Sequence, residues 1–453
     1  MAQVRLARTI RPRILRLVAG VTLAAAALLA ASCSRGLPVA PRTGAPAADR
    51  PGNPLPGNPS NDDVANGVVV TLTAGTDPAV LAGDYHATLV DSDEEGALLR
   101  PAAGELPDSL SAQLARDPRV VTSERDAWMD APEARQQSFA FDDGQGAPQT
   151  YLEQPAAEAV HLAAAHAVSE GEGVLVAILD TGADLTHPAL AGRIAGGWDF
   201  VGNTADPTDV RTGRDSNGDG VVDGAWGHGT HVAGIVALTA PKARLLIVRV
   251  LDSDGRGDML NVAAGIRWAI AHGARAINMS LGMLQSSDAI QGALELAEAR
   301  GVLCFASAGN WGASSPQEFP ARSSHTAAVA AVDAQARPAT FTSYGSFVAL
   351  CAPGAGVRSA YPGGGYRLWS GTSMSTPFVT GSAALLLSLH PDWTEDQVMS
   401  RLGATAAPLA GVSQSDAESN FGEGALDAGA ALLPDLPPAA LRPTSGVPMS
   451  GLR

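Results

Sequence analysis

A chain of 453 residues, 45% hydrophobic and 17% charged, carries enough apolar surface for a large core and more than one domain, which excludes an intrinsically disordered protein. Its formal net charge of −16 leaves no excess of Lys and Arg to neutralise phosphates, so neither nucleic acid nor an anionic membrane surface is an expected partner.

Residues 1–33 read as an export signal. MAQVRLARTIRPRILR holds five arginines and no acid, and the apolar run LVAGVTLAAAALLAA falls short of the roughly 20 residues of a spanning helix. The run ends in LAASC, similar to a bacterial lipobox, which makes Cys33 the expected lipidation site and the product an exported, membrane-anchored lipoprotein precursor. Ala30 stands where that pattern usually has leucine, so plain secretion with cleavage at a small residue remains the alternative.

Residues 34–63, rich in Pro, Gly, Ala and Asn, have little to pack and read as a flexible tether. Residues 64–131 then form a small α+β unit. GVVVTLTA is a strand, LPDSLSAQLARDP an amphipathic helix carrying Leu110 and Leu114, and RVVTSERD a second strand. APEARQQSFAFDDGQGAPQ, within 132–150, reads as a low-order linker.

The main body spans 151–433. It opens with one alanine-rich helix, PAAEAVHLAAAHAV, after which the apolar strands GVLVAILDTG, ARLLIVRVL, ARAINMSLG, GVLCFASAGN and TAAVAAV alternate with helical stretches. Uniformly apolar strands of this kind belong to a parallel sheet with helices on both faces, an α/β class whose ligands gather beyond the strand carboxyl ends. Asp180, Ser280 and Asn310 each lie just past such a strand. Cys304 and Cys351, both in apolar runs, are either a disulfide pair or two buried free thiols. Residues 434–453 are expected to be disordered.

Three signals supply a carboxylate, an imidazole and a hydroxyl: Asp180 in ILDTG, His228 in GHGTHVAG, and Ser373 in SGTSMSTPFVTG. A serine hydroxyl is a weak nucleophile that needs a base, and the base needs an acid to fix its tautomer. Each signal alone has a plainer reading. Asp-Thr-Gly occurs in ordinary turns and in aspartic proteases, His228 and His231 could be a metal pair, and SGTS could cap a helix. The order Asp, His, Ser, each beside a predicted strand end or helix start, makes coincidence a poor account.

LDTG, HGTHVAG, ASAGN and GTSMSTP together resemble the signature set of the subtilisin-like serine proteases, over roughly residues 151–433. That resemblance implies a subtilisin-like α/β fold preceded by a propeptide domain, and an endopeptidase acting on protein or peptide substrates through an acyl-enzyme. It gives Asp180 the orienting role, His228 that of general base and acid, and Ser373 that of nucleophile. Asn310 becomes the oxyanion donor, while His231 is expected to pack in the core. It further implies that substrate adds as a strand between Ser280-Leu281-Gly282 and Gly255-Arg256-Gly257, with Ser307, Ala308 and Gly309 lining a specificity pocket. These walls are small and uncharged, so apolar or unbranched side chains are expected there. Asp252, Asp254 and Asp258 could favour basic residues further out, or serve only as solvated loop acids.

RVVTSERD resembles the closing strand of a subtilase propeptide. Residues 64–131 therefore become an intramolecular inhibitor and folding chaperone, with the maturation cut within 132–150. A lipid on Cys33 would then lie on the propeptide side of the cut, and maturation would free a monomeric protease. A dedicated processing peptidase and a catalytically silent peptide-binding protein are the competing functions.

Asp215, Asn217, Asp219, the Val221 carbonyl and Asp223 reproduce positions 1, 3, 5, 7 and 9 of a calcium loop, with Gly220 at its turn. A structural calcium ion is the expected cofactor. Position 12 would be Trp226, which cannot supply the usual bidentate carboxylate, so a solvated acidic turn is the other reading.

Overall fold

The computed structural model of the protein describes residues 66–135 and 138–433. The expected signal with Cys33, the tether and the tail after 433 lie outside the described residues. Among the described residues no helix is long and apolar enough to cross a membrane.

β1 (Val68–Leu72), β2 (Thr88–Ser92), β3 (Gly96–Arg100) and β4 (Val120–Arg125) form an antiparallel sheet in the order β2-β3-β1-β4. Two helices cover it. In Pro78–Asp84 the Asp77 carboxylate accepts from the first free N–H groups and Pro78 presets the first turn. Pro107–Leu114 sets Leu110 and Leu114 against Val68, Val70, Leu81 and Leu99. Besides the two strands and the helix expected from sequence, this sheet carries β2, β3 and a second helix.

β5 (Trp128–Asp130) leads out of this unit. The larger body contains β6 (Leu175–Asp180), β7 (Ile194–Asp199), β8 (Arg244–Arg249), β9 (Arg256–Asp258), β10 (Ala276–Met279), β11 (Leu303–Ser307), β12 (Ala327–Val332) and β13 (Val348–Pro353), followed by the hairpin β14 (Val357–Tyr361) and β15 (Gly365–Trp369). Seven of these make a parallel sheet in the order β13-β12-β11-β10-β6-β8-β7.

Alternation along the strands sends side chains to both faces. Val176, Ile178, Leu245 and Ile247 join the core beneath helices His228–Thr239 and Thr372–Leu389. Leu179 and Val248 point the other way, against Gly265 of helix Met259–Ala271. The strand order reverses between β6 and β10, which opens a crevice beyond their carboxyl ends.

Two local outcomes differ from or decide the sequence reading. The alanine-rich segment is not one helix but two, Pro155–Ala159 and Leu162–His166, broken where His161 takes φ 53°. Tertiary contact outweighs helix propensity here: Gly429 packs onto His161, and the Ala428 N–H donates to the Val160 carbonyl at 3.1 Å. Cys304 and Cys351 are buried free thiols. β12 separates their strands, and two strand spacings, about 9.5 Å, exceed the reach of a disulfide.

Candidate active site

Asp180 ends β6, and its Oδ1 accepts from His228 Nδ1 at 2.7 Å. His228 opens helix His228–Thr239 after Gly227, whose φ of 92° suits glycine. The helix can approach β6 this closely because Gly229 has no side chain: a Cβ there would lie 2.1 Å from the Gly182 carbonyl oxygen. Behind this pair Asp209 Oδ2 accepts from the Gly227 N–H and the Thr230 hydroxyl at 3.0 and 3.1 Å. Burial, joined by the charge of Asp180 and opposed by that of Arg249, pushes Asp209 up to about 7. No motif announced Asp209; it is one acid among many in a polar loop.

Ser373 is the second residue of helix Thr372–Leu389, so its N–H belongs to the first turn and has no partner within the helix. Pro377 lies four residues on and offers no N–H to the Ser373 carbonyl. Ser280 Oγ donates to that carbonyl instead, at 3.0 Å, and so helps to fix the nucleophile's backbone. Asn310 is oriented by Thr372, whose N–H and hydroxyl both donate to its Oδ1 at 2.9 Å, leaving Nδ2 aimed at the space beside Ser373.

A carboxylate occupies that space. Glu133 Oε2 accepts from Ser373 Oγ at 2.5 Å and from His228 Nε2 at 3.1 Å, while Oε1 accepts from Asn310 Nδ2 at 2.9 Å and from the Ser373 N–H at 3.3 Å. Glu133, His228 and Ser373 are all fully buried. A Cβ at Gly371 would sit 1.6 Å from the same carboxylate, so glycine is required beside it. The structure thus gathers Asp180, His228, Ser373 and Asn310 around one point and places an acid from the expected low-order linker at that point. That part of the linker is ordered, contrary to the sequence reading.

Charge distribution follows from this packing. Burial disfavours the His228 imidazolium, but the charge and hydrogen bond of Asp180, joined by those of Glu133, outweigh it and push His228 up to about 10. Burial likewise opposes the Glu133 carboxylate, yet His228, Ser373 and Asn310 hold it below its ordinary 4.5. His231 behaves otherwise. Burial pulls it down to about 3, its Nε2 donates to the Arg367 carbonyl, and its ring meets Trp369 edge-on. It is a neutral core histidine.

The route by which Glu133 arrives runs through both segments expected to recognise substrate. β5 pairs antiparallel with β9, Met129 opposite Gly257 and Asp130 opposite Arg256. On its other side Asp130 exchanges both backbone hydrogen bonds with Gly282, at 3.0 and 2.9 Å, and the Ala131 N–H reaches the Gly255 carbonyl at 2.8 Å. Ala131 precedes a proline and is steered toward extended backbone, while Pro132 is preset for a helical turn. The turn Pro132–Arg135 swings the chain so that a side chain, rather than a peptide carbonyl, faces Ser373. Beyond it, Ser138 Oγ donates to the Ser370 carbonyl and Phe141 bridges Leu368.

Leu281, Ser307 and Ala308 are fully buried, and Gly309 has φ 101°. The surroundings of these residues are not the uncharged wall expected from sequence, because the buried Glu318 carboxylate lies against Gly282 and Gly309. The loop acids are engaged by backbone N–H groups. Asp252 accepts from the N–H groups of Asp254 and Arg256, Asp254 from those of Ser216, Asn217 and Gly224, and Asp258 caps helix Met259–Ala271.

In the candidate calcium loop, Asp215 accepts from the N–H groups of Gly218 and Gly220, Asn217 from that of Asp219, and Asp219 from that of Val221. Burial raises Asp219, with the nearby Asp215 charge adding to it. Asp223 turns elsewhere: its Oδ1 accepts from the N–H groups of Thr212 and Gly213 and from Ser253 Oγ, at 2.9, 3.0 and 2.6 Å. Among the described residues no three His, Cys, Asp or Glu side chains gather as a metal cluster. Asp215, Asn217 and Asp219 thus present neighbouring side-chain oxygens on one turn, each accepting from that turn's own N–H groups, while Asp223 hydrogen-bonds to Thr212, Gly213 and Ser253 instead.

A parallel sheet of this order with a carboxylate, imidazole and hydroxyl converging at its carboxyl edge defines a serine hydrolase. The model of the subtilase family matches residues 171–425. Thermitase from Thermoactinomyces vulgaris is 42% identical over 231 residues, covering 49% of this chain and 77% of the relative. Subtilisin E from Bacillus subtilis (strain 168) is 37% identical over 320 residues, covering 68% and 76%. Among solved structures, fervidolysin from Fervidobacterium pennivorans, described as a keratinolytic enzyme related to subtilisin, superposes with a TM-score of 0.67 at 24% identity. That match covers 82% of this chain and 61% of fervidolysin. The chain belongs to the subtilase family. It is a subtilisin-like serine endopeptidase.

Proposed function

We propose that the protein is an exported zymogen of this family, held inactive by its own residues 64–131 together with Glu133 just after them, and matured by a cut within 132–150. In the mature enzyme Ser373 Oγ attacks the substrate carbonyl while His228 Nε2 takes its proton, and Asp180 keeps the Nδ1 proton in place and stabilises the imidazolium. Asn310 Nδ2 and the Ser373 N–H stabilise the oxyanion. His228 then returns the proton to the leaving amine, and water hydrolyses the acyl-enzyme by the same steps. Substrate lies extended between Gly255-Arg256-Gly257 and Ser280-Leu281-Gly282, where β5 lies in the precursor.

Four donors converging on the Glu133 carboxylate carry this proposal. They are the groups that tetrahedral oxyanion chemistry needs, and in the precursor an internal anion uses them up. The His228 and Ser373 donors meet on Glu133 Oε2, so the acid stands in the path of proton transfer between them. A carboxylate side chain is also not a bond that serine can cleave.

Asn310→Ala is expected to lower kcat about 10²–10³-fold, a magnitude taken over from the equivalent donor of subtilisin. KM should change little, and steady-state kinetics on a peptide amide checks the split. We further propose that Cys33 carries a lipid anchor left behind at maturation, and that Asp215, Asn217, Asp219 and the Val221 carbonyl contribute to a structural calcium site. Bound only by the folded state, that ion would stabilise it, so EDTA should lower the melting temperature by about 5–10 °C. An unchanged melting curve and metal-free purified protein would remove the calcium reading.

A further inference from the structure

The specificity pocket contains a feature that none of the signature motifs includes. Glu318 lies between Gly282 and Gly309, with its side chain only 2% exposed. Its Oε2 packs so closely on Gly282 that a Cβ there would lie 2.2 Å away, and a Cβ at Gly309 would lie 3.1 Å from its Cδ. Trp311 Nε1 donates to Oε1 at 2.8 Å and fixes the carboxylate, while Oε2 makes no hydrogen bond among the described residues. A buried acid of this kind is costly unless a cation meets it.

In the precursor a cation does. Arg135 sends Nη1 to Glu318 Oε1 at 3.0 Å and donates from Nη2 to the Gly282 carbonyl at 2.8 Å, with Asp130 Oδ2 closing the other edge of the guanidinium. Arg135 is the one lysine or arginine between residues 126 and 150. It stands two residues after the acid that fills the oxyanion site, on the turn that follows the substrate-like strand. The guanidinium is therefore a guest in a site that mature enzyme would offer to substrate.

We propose that Glu318 makes this a pocket for the basic side chain immediately before the scissile bond, arginine above lysine, and that Arg135 is its internal occupant in the precursor. This deepens the endopeptidase reading and rests on it. Arginine exceeds lysine because a planar fork can meet Oε1 and the Gly282 carbonyl together, whereas an ammonium is a point charge. The same preference puts the self-cleavage that frees the catalytic body on the carboxyl side of Arg135, leaving residues 136–150 attached to it.

The test uses mature enzyme and chromogenic peptides identical except for Arg, Lys, Gln, Phe or Leu before the scissile bond, with active sites titrated by a fluorophosphonate so that only folded enzyme is counted. Wild type should favour Arg over Phe and over Gln by about 10²-fold in kcat/KM, as expected for a desolvated charge pair. Glu318→Gln should bring the Arg to Gln ratio close to one, and Glu318→Asp should retain a reduced preference for Arg. Faster cleavage of Phe or Leu than of Arg by wild type, or an unchanged ranking in Glu318→Gln, would overturn the proposal while leaving the endopeptidase reading intact. Failure to cleave any peptide, together with no labelling of Ser373, would overturn both.

Discussion

Ser373→Ala is expected to lower peptide hydrolysis by about 10⁶-fold, and His228→Ala by a similar amount, magnitudes taken over from the subtilisin triad. Combining the two should cost little more than either. The reason lies in the geometry: His228 is useful only as the carrier of the Ser373 proton, and Asp180, 2.7 Å from His228 Nδ1, acts only through His228. Once one member is lost, the others have no task left, and what activity remains comes from oxyanion stabilisation and substrate binding. Kinetics of the two single variants and the double variant check this. Multiplicative losses in the double variant would mean that the residues act separately.

The second large effect concerns latency. Glu133→Ala should speed reaction of the intact precursor with a fluorophosphonate, and its self-processing, by at least about 10²-fold, because a buried carboxylate accepting several charge-assisted hydrogen bonds is removed. The pH dependence has a definite sign. Against burial, His228 is pushed up to about 10 from an ordinary 6.5, first by Asp180, which stays beside it with or without the latch, and further by Glu133. The share that belongs to the latch is present while the imidazolium persists and is lost as pH rises through about 10. Glu133 is held below its ordinary 4.5, so its contribution is present above 4.5 and is lost as pH falls through its lowered value. The latch therefore holds while Glu133 is ionised and His228 protonated, and it loosens on the alkaline side as His228 loses its proton. Precursor processing should accelerate between pH 7 and 10, and the acceleration should be much smaller in Glu133→Ala. Equal pH profiles for the two proteins would show that His228 does not gate the process.

Much of the catalytic half was legible because its signals are local. An apolar strand that ends in Asp, or a glycine-rich turn that opens an apolar helix, states in a few residues both the element and the side chain at its edge, and the parallel sheet then collects those edges on one side. Glu133 and Glu318 were not legible because their roles depend on distant approaches. Glu133 lies 95 residues before His228 and 240 before Ser373, and nothing in APEAR marks its glutamate as buried. Pro132 was the available hint, since a proline after an extended strand redirects the chain. Glu318 sits in QEFPAR, where a charged residue looks like ordinary surface until Gly282 and Gly309 close over it. The broken alanine-rich helix has the same origin, for its break is made by Gly429, far along the chain.

The most direct measurement is to react the processed protein with a fluorophosphonate and locate the adduct by peptide mass spectrometry. A single adduct on Ser373, absent in Ser373→Ala and slow to form in His228→Ala, is the predicted result. A folded, processed protein that takes up no label, or takes it on another residue, would contradict the relay of Asp180, His228 and Ser373.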